Sequence, residues 1–213
     1  IEYMNQKNGK NSLGLDSCFE DLDNPIELFK NWFSKAEKKE INDPNAVAVA
    51  TSNKINQPNV RMVLLKGLNN KGFVFYTNFN SKKGGELKIN QKASMCFHWK
   101  SLRRQVRIIG KVEEVTPKEA DDYYNSRPYK NRISAWASSQ SQILDKRETF
   151  LNKIKEYEKK YPNENNVPRP PHWSGWRLLP DEIEFWVDGE GRIHERLNYK
   201  NINGKWEKEI LYP

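Results

Sequence analysis

The sequence predicts a mainly β fold of the α+β class, in which an antiparallel barrel of six to eight strands is surrounded by helices. Short runs of β-branched and aromatic residues recur between Asn, Gly and Pro turns, and segments with helical spacing and capping residues separate them. The length of 213 residues suits one ordinary domain. Aromatic residues make up 12% of this polar chain, so we expect a ligand or a second subunit to bury some of them.

The first segment with a clear pattern is a helix. Residues 1–24 lack periodicity and are predicted to form a loose N-terminal arm, which leaves 25–213 as one domain. Asn24 can cap the helix, and Pro25 suits its first position. One face of this helix is apolar and carries Ile26, Phe29, Phe33 and Ala36.

Strands follow. Five are predicted from the sequences AVAVATSN, VRMVLLKG, GFVFYTN, ASMCFHWKSL and RRQVRIIGKVEEV. A short helix from Ser81 to Asn90 separates the third from the fourth, although its two glycines weaken it. In the fifth strand one face is predicted to be buried, the face with Val106, Ile108, Gly110 and Val112.

Helices are predicted again after the fifth strand. The sequence from Thr116 to Glu119 is a capping box, and the helix that it starts ends by Pro128. Two more helices are predicted, from Asn131 to Ser138 and from a cap at Asp145 to Tyr161. A proline-rich loop comes next, and the chain ends in three strands with the sequences EIEFWVD, RIHERLNYK and KWEKEILYP.

Charge and cysteine content restrict the class of protein. The formal net charge of +8 favours anionic partners, either nucleic acid or phosphorylated small molecules, although a solvated lysine-rich surface gives the same charge. The apolar runs are far shorter than the roughly 20 residues of a spanning helix, and no signal peptide is recognisable. Two cysteines and three scattered histidines show no metal-ligand spacing. We therefore expect a cytoplasmic protein without a metal.

The segment from Arg192 to Arg196 carries the most distinctive chemistry. If it is a strand, Arg192, His194 and Arg196 point the same way and repel each other unless an anionic or electron-rich ligand lies against them. A solvated strand face would show the same pattern. In the preceding strand Trp186 lies on the polar face, where it could stack on a planar ligand or form a dimer contact.

Two further groups of residues point to phosphate binding. Arg61 and Lys66 stand at the ends of an apolar strand, and Lys82 and Lys83 follow at a predicted helix start, although lysines there are often only solvated. Tyr123 and Arg127 are four residues apart on one predicted helix, hence on one face. No phosphate-binding P-loop, dinucleotide motif or nucleophile elbow is present, so the chemistry is expected to belong to a bound cofactor.

Motifs in a fixed order then identify a family resemblance. RMVLLK, FYTN, RRQVRIIGKVE, YYNSRP, AWASSQS, the HWSGWRL loop, IEFW and RIHER occur in the order seen in the pyridoxine/pyridoxamine 5'-phosphate oxidase family, over about residues 25–213. The resemblance implies a homodimeric split barrel that binds flavin mononucleotide (FMN), with sites at the subunit interface. It implies oxidation of pyridoxine or pyridoxamine 5'-phosphate to pyridoxal 5'-phosphate, with oxygen reduced to hydrogen peroxide.

The resemblance also implies roles for individual residues. The FMN contacts are Arg61, Met62, Val63, Leu64, Lys66, Tyr76, Thr77, Lys82, Lys83, Gln105, Gln140, Ser141, Trp186 and Arg196. The substrate contacts are Tyr3, Lys66, Tyr123, Arg127, Asn131, Arg192 and His194. Within that set Arg192 and His194 match the catalytic pair over the substrate ring. Two positions depart from the family pattern, since Lys82 replaces a frequent Arg and Asn131 a common Ser.

Two alternatives stay open. One is another split-barrel flavoprotein, such as a flavin reductase, although Tyr123, Arg127 and the Arg192–His194 segment speak against it. The other is a basic barrel that binds nucleic acid through interleaved cations and aromatics such as His98-Trp99-Lys100. FMN and a phosphorylated ring already account for the positive charge and the aromatic residues of the chain. We therefore expect no nucleic acid and no membrane as partner.

Overall fold

A computed structural model describes residues 10–213, and in this range nine strands form one sheet accompanied by five α-helices. The strands are β1 (Ala46–Ser52), β2 (Pro58–Leu64), β3 (Gly67–Asn69), β4 (Gly72–Asn78), β5 (Lys92–Trp99), β6 (Arg104–Glu114), β7 (Trp173–Val187), β8 (Glu195–Ile202) and β9 (Lys205–Leu211). The helices are α1 (Pro25–Lys39), α2 (Lys82–Ile89), α3 (Pro117–Asn125), α4 (Tyr129–Ala137) and α5 (Arg147–Lys160). The predicted antiparallel barrel with surrounding helices is confirmed, with one strand more than the upper prediction.

The strand order is β2-β1-β5-β6-β7-β4-β3, and β8 and β9 extend the sheet from β7. β7 divides the sheet, because its first part pairs with β4 and its second part with β8, whereas β6 runs beside both parts. The register between β6 and β7 shifts at a bulge next to Gly110. A Cβ atom at Gly110 would lie 2.0 Å from the Leu179 carbonyl oxygen, so the bulge requires glycine.

Helix α1 covers the inner face of the sheet and forms the centre of the core. The Asn24 side chain accepts a hydrogen bond from the Ile26 N–H, and Pro25 occupies the first turn, as predicted. The Phe29 ring packs against Phe73 on β4 and Phe97 on β5, with centroid distances of 4.9 and 5.1 Å. Each such buried ring stabilises the fold by about 1.5–3 kcal/mol.

The described part of the N-terminal arm is packed rather than loose. Leu15 and Phe19 are buried in the core, and the Trp32 indole donates to the Cys18 carbonyl at 2.7 Å. The Asp16 N–H donates to the Glu195 carboxylate, 179 residues away in the sequence. The prediction of a loose arm is therefore wrong for residues 10–24. Tyr3, a predicted substrate contact, lies outside the described residues.

Two predictions for the C-terminal third are wrong. The HWSGWRL segment, expected in a loop, forms the first part of β7 from Trp173 onward. The segment from Arg192 to Arg196 is not one strand, because residues 190–192 form a 3-10 turn and β8 begins only at Glu195. A Cβ at Gly189 would lie 1.8 Å from the Ile193 carbonyl oxygen, and Arg192 has a φ of 65°. The backbone therefore turns back on itself here, and the three cationic residues do not share a strand face.

Candidate active site

A cavity of about 970 Å³ opens between β2, β4, α2 and the segment that joins α3 to α4. Its volume is in the range of small-molecule and cofactor sites. Fourteen residues that the sequence assigns to FMN or substrate line it, namely Arg61, Met62, Val63, Leu64, Lys66, Tyr76, Thr77, Lys82, Lys83, Tyr123, Arg127, Asn131, Gln140 and Ser141. Segments far apart in the sequence thus meet at one cavity.

One end of the cavity is built around the Lys83 amine. Helix α2 starts at Lys82, and the side chain of its cap Ser81 accepts from the Gly84 N–H. The Lys83 Nζ donates to Thr77 Oγ1 and Gln140 Oε1, each at 2.9 Å, so β4, α2 and the segment after α4 converge on it. Burial, and then the nearby charge of Arg61, lower the pKa of Lys83 from 10.5 to about 8. A bound anion would favour the charged ammonium form.

Arg61 supplies a second cation at the same end. Its Nη1 donates to Thr51 Oγ1 at 2.6 Å and to the Val49 carbonyl at 3.2 Å, and its Nη2 donates to Glu86 Oε2 at 3.1 Å. The Arg61 side chain is 19% exposed, on the cavity wall. Arg61 and Lys83 both line the cavity, and a pair of partly buried cations can interact favourably with an anion such as a phosphate.

The other end of the cavity holds an aromatic stack beside a third cation. The Tyr76, Tyr123 and Trp173 rings are nearly parallel and in mutual contact, with centroid distances of 4.1 Å for Tyr76–Tyr123, 5.3 Å for Tyr76–Trp173 and 6.1 Å for Tyr123–Trp173. The Arg127 guanidinium lies 4.7 Å from the Trp173 ring centroid, a cation–π distance. Arg127 lies two residues beyond the end of α3, not on the helix as predicted, yet both it and Tyr123 line the cavity.

Arg127 has a buried donor that requires a partner. Its Nη1 is buried and has no acceptor within residues 10–213. Burial also lowers the pKa of Arg127, which indicates that its charge is poorly solvated. Buried polar groups are normally hydrogen-bonded, so an anionic ligand that reaches Arg127 would gain a charge-assisted bond there. Lys66 and Asn131 line the same cavity and are further donors for this anion.

Four of the remaining assigned residues form a separate surface, here called the C-terminal patch: Gln105, Trp186, His194 and Arg196. Gln105 on β6, Trp186 on β7 and Arg196 on β8 are direct cross-strand partners, so their side chains share one face of the sheet. The His194 ring lies 4.7 Å from the Trp186 ring. Neither the patch nor the adjacent Arg192 lines the cavity of its own chain.

Carboxylates hold the cationic groups of the patch in place. Buried Glu184 accepts from Arg196 Nε at 2.8 Å and from Arg107 Nη1 at 3.0 Å, and the hydrogen bond to Glu184 raises the pKa of Arg196. The His194 Nδ1 lies 3.2 Å from the Asp188 carboxylate. The Gly189 N–H also approaches this Nδ1 at 3.2 Å, and the two contacts require opposite tautomers of the imidazole. Glu184 and Asp188 thus lie beside Arg196 and His194 of the patch.

Sequence reasoning missed three residues that shape these surfaces: Glu86 behind Arg61, Trp173 beside Arg127, and Asp188 beside His194. Trp173 could have been found from the density of aromatic residues in its segment. Glu86 and Asp188 look like ordinary solvated carboxylates in the sequence, and only the contacts between elements distinguish them.

Two classes of site have no support in the described range. Residues 10–213 contain no group of three or more His, Cys, Asp or Glu side chains that could hold a metal ion. None of the helices in that range has both the length and the apolar character that crossing a membrane requires.

Comparison with known structures places the fold in a class. The structure is similar to PhzG from Burkholderia lata 383, solved in complex with tetrahydrophenazine-1-carboxylic acid, with a TM-score of 0.87 and 28% identity over 96% of this chain and 100% of that one. It is also similar in fold to a pyridoxamine 5'-phosphate oxidase-related, FMN binding protein from Nostoc punctiforme PCC 73102, with a TM-score of 0.71 and 15% identity over 89% and 98% of the two chains. The fold is that of the split-barrel flavoproteins.

Sequence comparison defines the family within this class. Residues 33–161 match the family model described as pyridoxamine 5'-phosphate oxidase, and residues 173–213 match the C-terminal dimerisation region of pyridoxine 5'-phosphate oxidase. The chain is 62% identical over 207 residues to the pyridoxine/pyridoxamine 5'-phosphate oxidase of Pelagibacter ubique (strain HTCC1062), which covers 97% of this chain and 100% of that one. It is 52% identical over 197 residues to that of Sinorhizobium fredii (strain NBRC 101917 / NGR234), covering 92% and 95%. The chain belongs to the pyridoxine/pyridoxamine 5'-phosphate oxidase family.

Proposed function

We propose that this chain is an FMN-dependent oxidase that converts pyridoxine or pyridoxamine 5'-phosphate to pyridoxal 5'-phosphate, with oxygen as the electron acceptor. One observation carries the proposal: the cavity has a cationic group at each end, with stacked aromatic rings at one of them. Arg61 and Lys83 suit one phosphate, and Lys66 and Arg127 suit another. Two planar ligands that each carry a phosphate, FMN and a pyridoxyl phosphate, match this arrangement.

The residues around Lys83 would bind FMN. Lys83 and Arg61 supply positive charge for its phosphate, and Lys82 adds a point charge at the start of α2. The side chains that now accept from the Lys83 amine, Thr77 and Gln140, can bond to the same phosphate or to the ring. Bound FMN supplies hydride acceptance from the substrate carbon and transfer of the electrons to oxygen, which yields hydrogen peroxide.

The residues at the other end would bind the substrate phosphate. The buried Nη1 of Arg127 has no acceptor in the described part of the chain, and a phosphate oxygen would supply one. Lys66, Tyr123 and Asn131 are further donors on the same wall. Each charge-assisted hydrogen bond contributes about 1.5–3 kcal/mol, so these donors would fix the position of the ring relative to the flavin.

We further infer that a second copy of the chain completes each cavity. The C-terminal patch lies outside the cavity of its own chain, and three of its four residues, Trp186, His194 and Arg196, lie in the region that matches the dimerisation model. In a symmetric dimer the patch of one copy can cover the cavity of the other. Arg192 and His194 would then orient the substrate ring and stabilise the charge that develops on it, while Trp186 and Arg196 contact the flavin.

The deciding experiment compares phosphorylated and unphosphorylated substrates. Oxygen consumption by the FMN-loaded protein is measured with each vitamin B6 phosphate and with pyridoxine itself. We expect turnover with the phosphates, and a KM that rises about ten- to a hundred-fold in Arg127→Ala because one charge-assisted contact is lost. Lys118→Ala is the matched control, since Lys118 lies on α3 with its side chain 84% exposed.

The outcomes separate this function from its rivals. Equal turnover of pyridoxine and its phosphate, or an unchanged KM in Arg127→Ala, would count against the phosphate site. The absence of any flavin binding would refute the proposal.

A further inference from the structure

We propose that Glu86 is a positioning residue for the FMN phosphate site: its carboxylate fixes the Arg61 guanidinium on the cavity wall so that one edge of it faces the phosphate. The proposal rests on the proposed function, because it takes FMN as the ligand. Glu86 does not line the cavity and carries no role in the sequence assignments. It acts only through Arg61.

The contacts of Glu86 tie three elements together behind the cavity. Glu86 lies on α2, and its side chain is 5% exposed. It contacts one residue of β1 and two of β2. Glu86 Oε2 accepts from the Thr51 hydroxyl on β1 and from Arg61 Nη2 on β2, the latter at 3.1 Å. The other oxygen, Oε1, lies 3.4 Å from Asn59 Nδ2. The carboxylate is therefore bonded on both oxygens.

Glu86 remains charged in this buried position. Burial alone would raise its pKa, but hydrogen bonds from Thr51, Asn59 and Arg61, together with the charge of Arg61, lower the pKa below its ordinary value. A buried carboxylate that lost its cation would be strongly destabilised. Arg61 is consequently held in one place whether or not a ligand is present, which removes the entropic cost of ordering it on binding.

The hydrogen bonds of Arg61 leave one edge of the guanidinium for a ligand. Thr51 and Val49 accept from Nη1, and Glu86 accepts from Nη2. Within residues 10–213 no acceptor bonds to Nε, and Nη2 has one hydrogen more than its single bond uses. A phosphate can accept from Nε and Nη2 together, the paired geometry that makes arginine a specific phosphate ligand.

A purely structural role for Glu86 makes a different prediction. If the carboxylate only joins α2 to β1 and β2, its replacement lowers the stability of the protein and weakens the binding of every flavin to the same degree. If it acts through Arg61 on the phosphate, the loss is confined to flavins that carry a phosphate. Riboflavin has the ring of FMN without the phosphate, so the pair FMN and riboflavin separates the two roles.

The experiment titrates apo-protein with FMN and with riboflavin, and follows flavin fluorescence. In Glu86→Gln we expect the Kd of FMN to rise about ten-fold, which corresponds to about 1.4 kcal/mol, and that of riboflavin to stay within about two-fold. Glu113→Gln is the control, because Glu113 pairs with buried Arg177 outside the cavity. In an Arg61→Met background Glu86→Gln should have no further effect on FMN, since the two act as one unit.

Three results would overturn the proposal: equal losses for FMN and riboflavin, tighter FMN binding in Glu86→Gln, or a full effect of Glu86→Gln in the Arg61→Met background. If Glu86→Gln does not fold, Thr51→Val provides the same comparison, because it removes the hydroxyl that bonds both Arg61 and Glu86. A wild-type protein that does not prefer FMN to riboflavin refutes the proposed function. A wild-type preference that Glu86→Gln preserves refutes only the role of Glu86.

Discussion

The affinity for FMN is predicted to fall as the pH rises through about 8, because Lys83 must be protonated to bind the phosphate. Burial, and then Arg61, lower the pKa of Lys83 to about 8 in the free protein. A bound phosphate opposes both effects and raises this pKa. Below pH 8 the amine is already charged, whereas above it binding must take up one proton. The Kd of FMN therefore rises about sixteen-fold from pH 8 to 9.5, which corresponds to about 1.7 kcal/mol, and the slope approaches about ten-fold per pH unit well above pH 8.

Fluorescence titrations between about pH 7 and 9.5 test this, since the phosphate itself takes up a proton only near pH 6. Riboflavin is the control ligand and should show no such slope. Lys83→Met should bind FMN weakly with little dependence on pH, and Lys83→Arg should keep its charge throughout the range. The reasoning fails if FMN and riboflavin give parallel curves with the wild-type protein, or if Lys83→Met retains the slope.

Two further predictions concern assembly and stability. Arg127→Ala alters the cavity and His194→Ala alters the patch, so mixing the two variants should restore about a quarter of wild-type activity after subunit exchange. Half of the dimers are then mixed, and one of the two sites in each mixed dimer is intact. Activity no higher than that of the separate variants would place both residues in one chain's site. Thr116→Ala should lower the free energy of unfolding by about 1 kcal/mol and the Tm by about 2–4 °C, because the Thr116 and Glu119 side chains cap each other's N–H groups at the start of α3. Thr116→Ser keeps the cap and should melt like the wild type.

Local sequence signals predicted those elements whose stability is itself local. The cap of α1, the capping box of α3 and the alternating burial of β6 are all as the sequence indicates. In each case the signal lies within a few residues of the structure that it specifies. Helix α5 begins at Arg147 rather than directly after the predicted cap at Asp145, a small shift at an exposed helix without a buried residue.

The errors occur where distant contacts decide the structure. The first six residues of β7, from Trp173 to Leu178, are all buried, so they lack the alternation by which a half-exposed strand is recognised. The arm at residues 10–24 is fixed by contacts such as that of Asp16 with Glu195, which no local pattern reveals. The turn before β8 depends on the close approach of the Ile193 carbonyl to Gly189. The alternating cationic residues of this segment predict a strand instead.

The candidate site was predictable in its chemistry but not in its division between two surfaces. Cations and aromatics at matching positions predict which residues bind phosphates and rings, and fourteen of the predicted residues line one cavity. The sequence does not indicate that the C-terminal patch lies elsewhere on the same chain. That separation depends on the sheet order, in which β2 is at an edge and β8 branches from β7.

The exposed apolar residues of β2 explain why the site should require two copies. Val60, Met62 and Leu64 line the cavity, yet their exposures are 64%, 63% and 38%. An edge strand with exposed apolar side chains is a liability unless another surface covers it. A second copy that covers β2 would bury these side chains and bring its own Trp186 toward the same cavity. Because a ligand held between two copies stabilises their association, FMN binding and dimerisation should then strengthen each other.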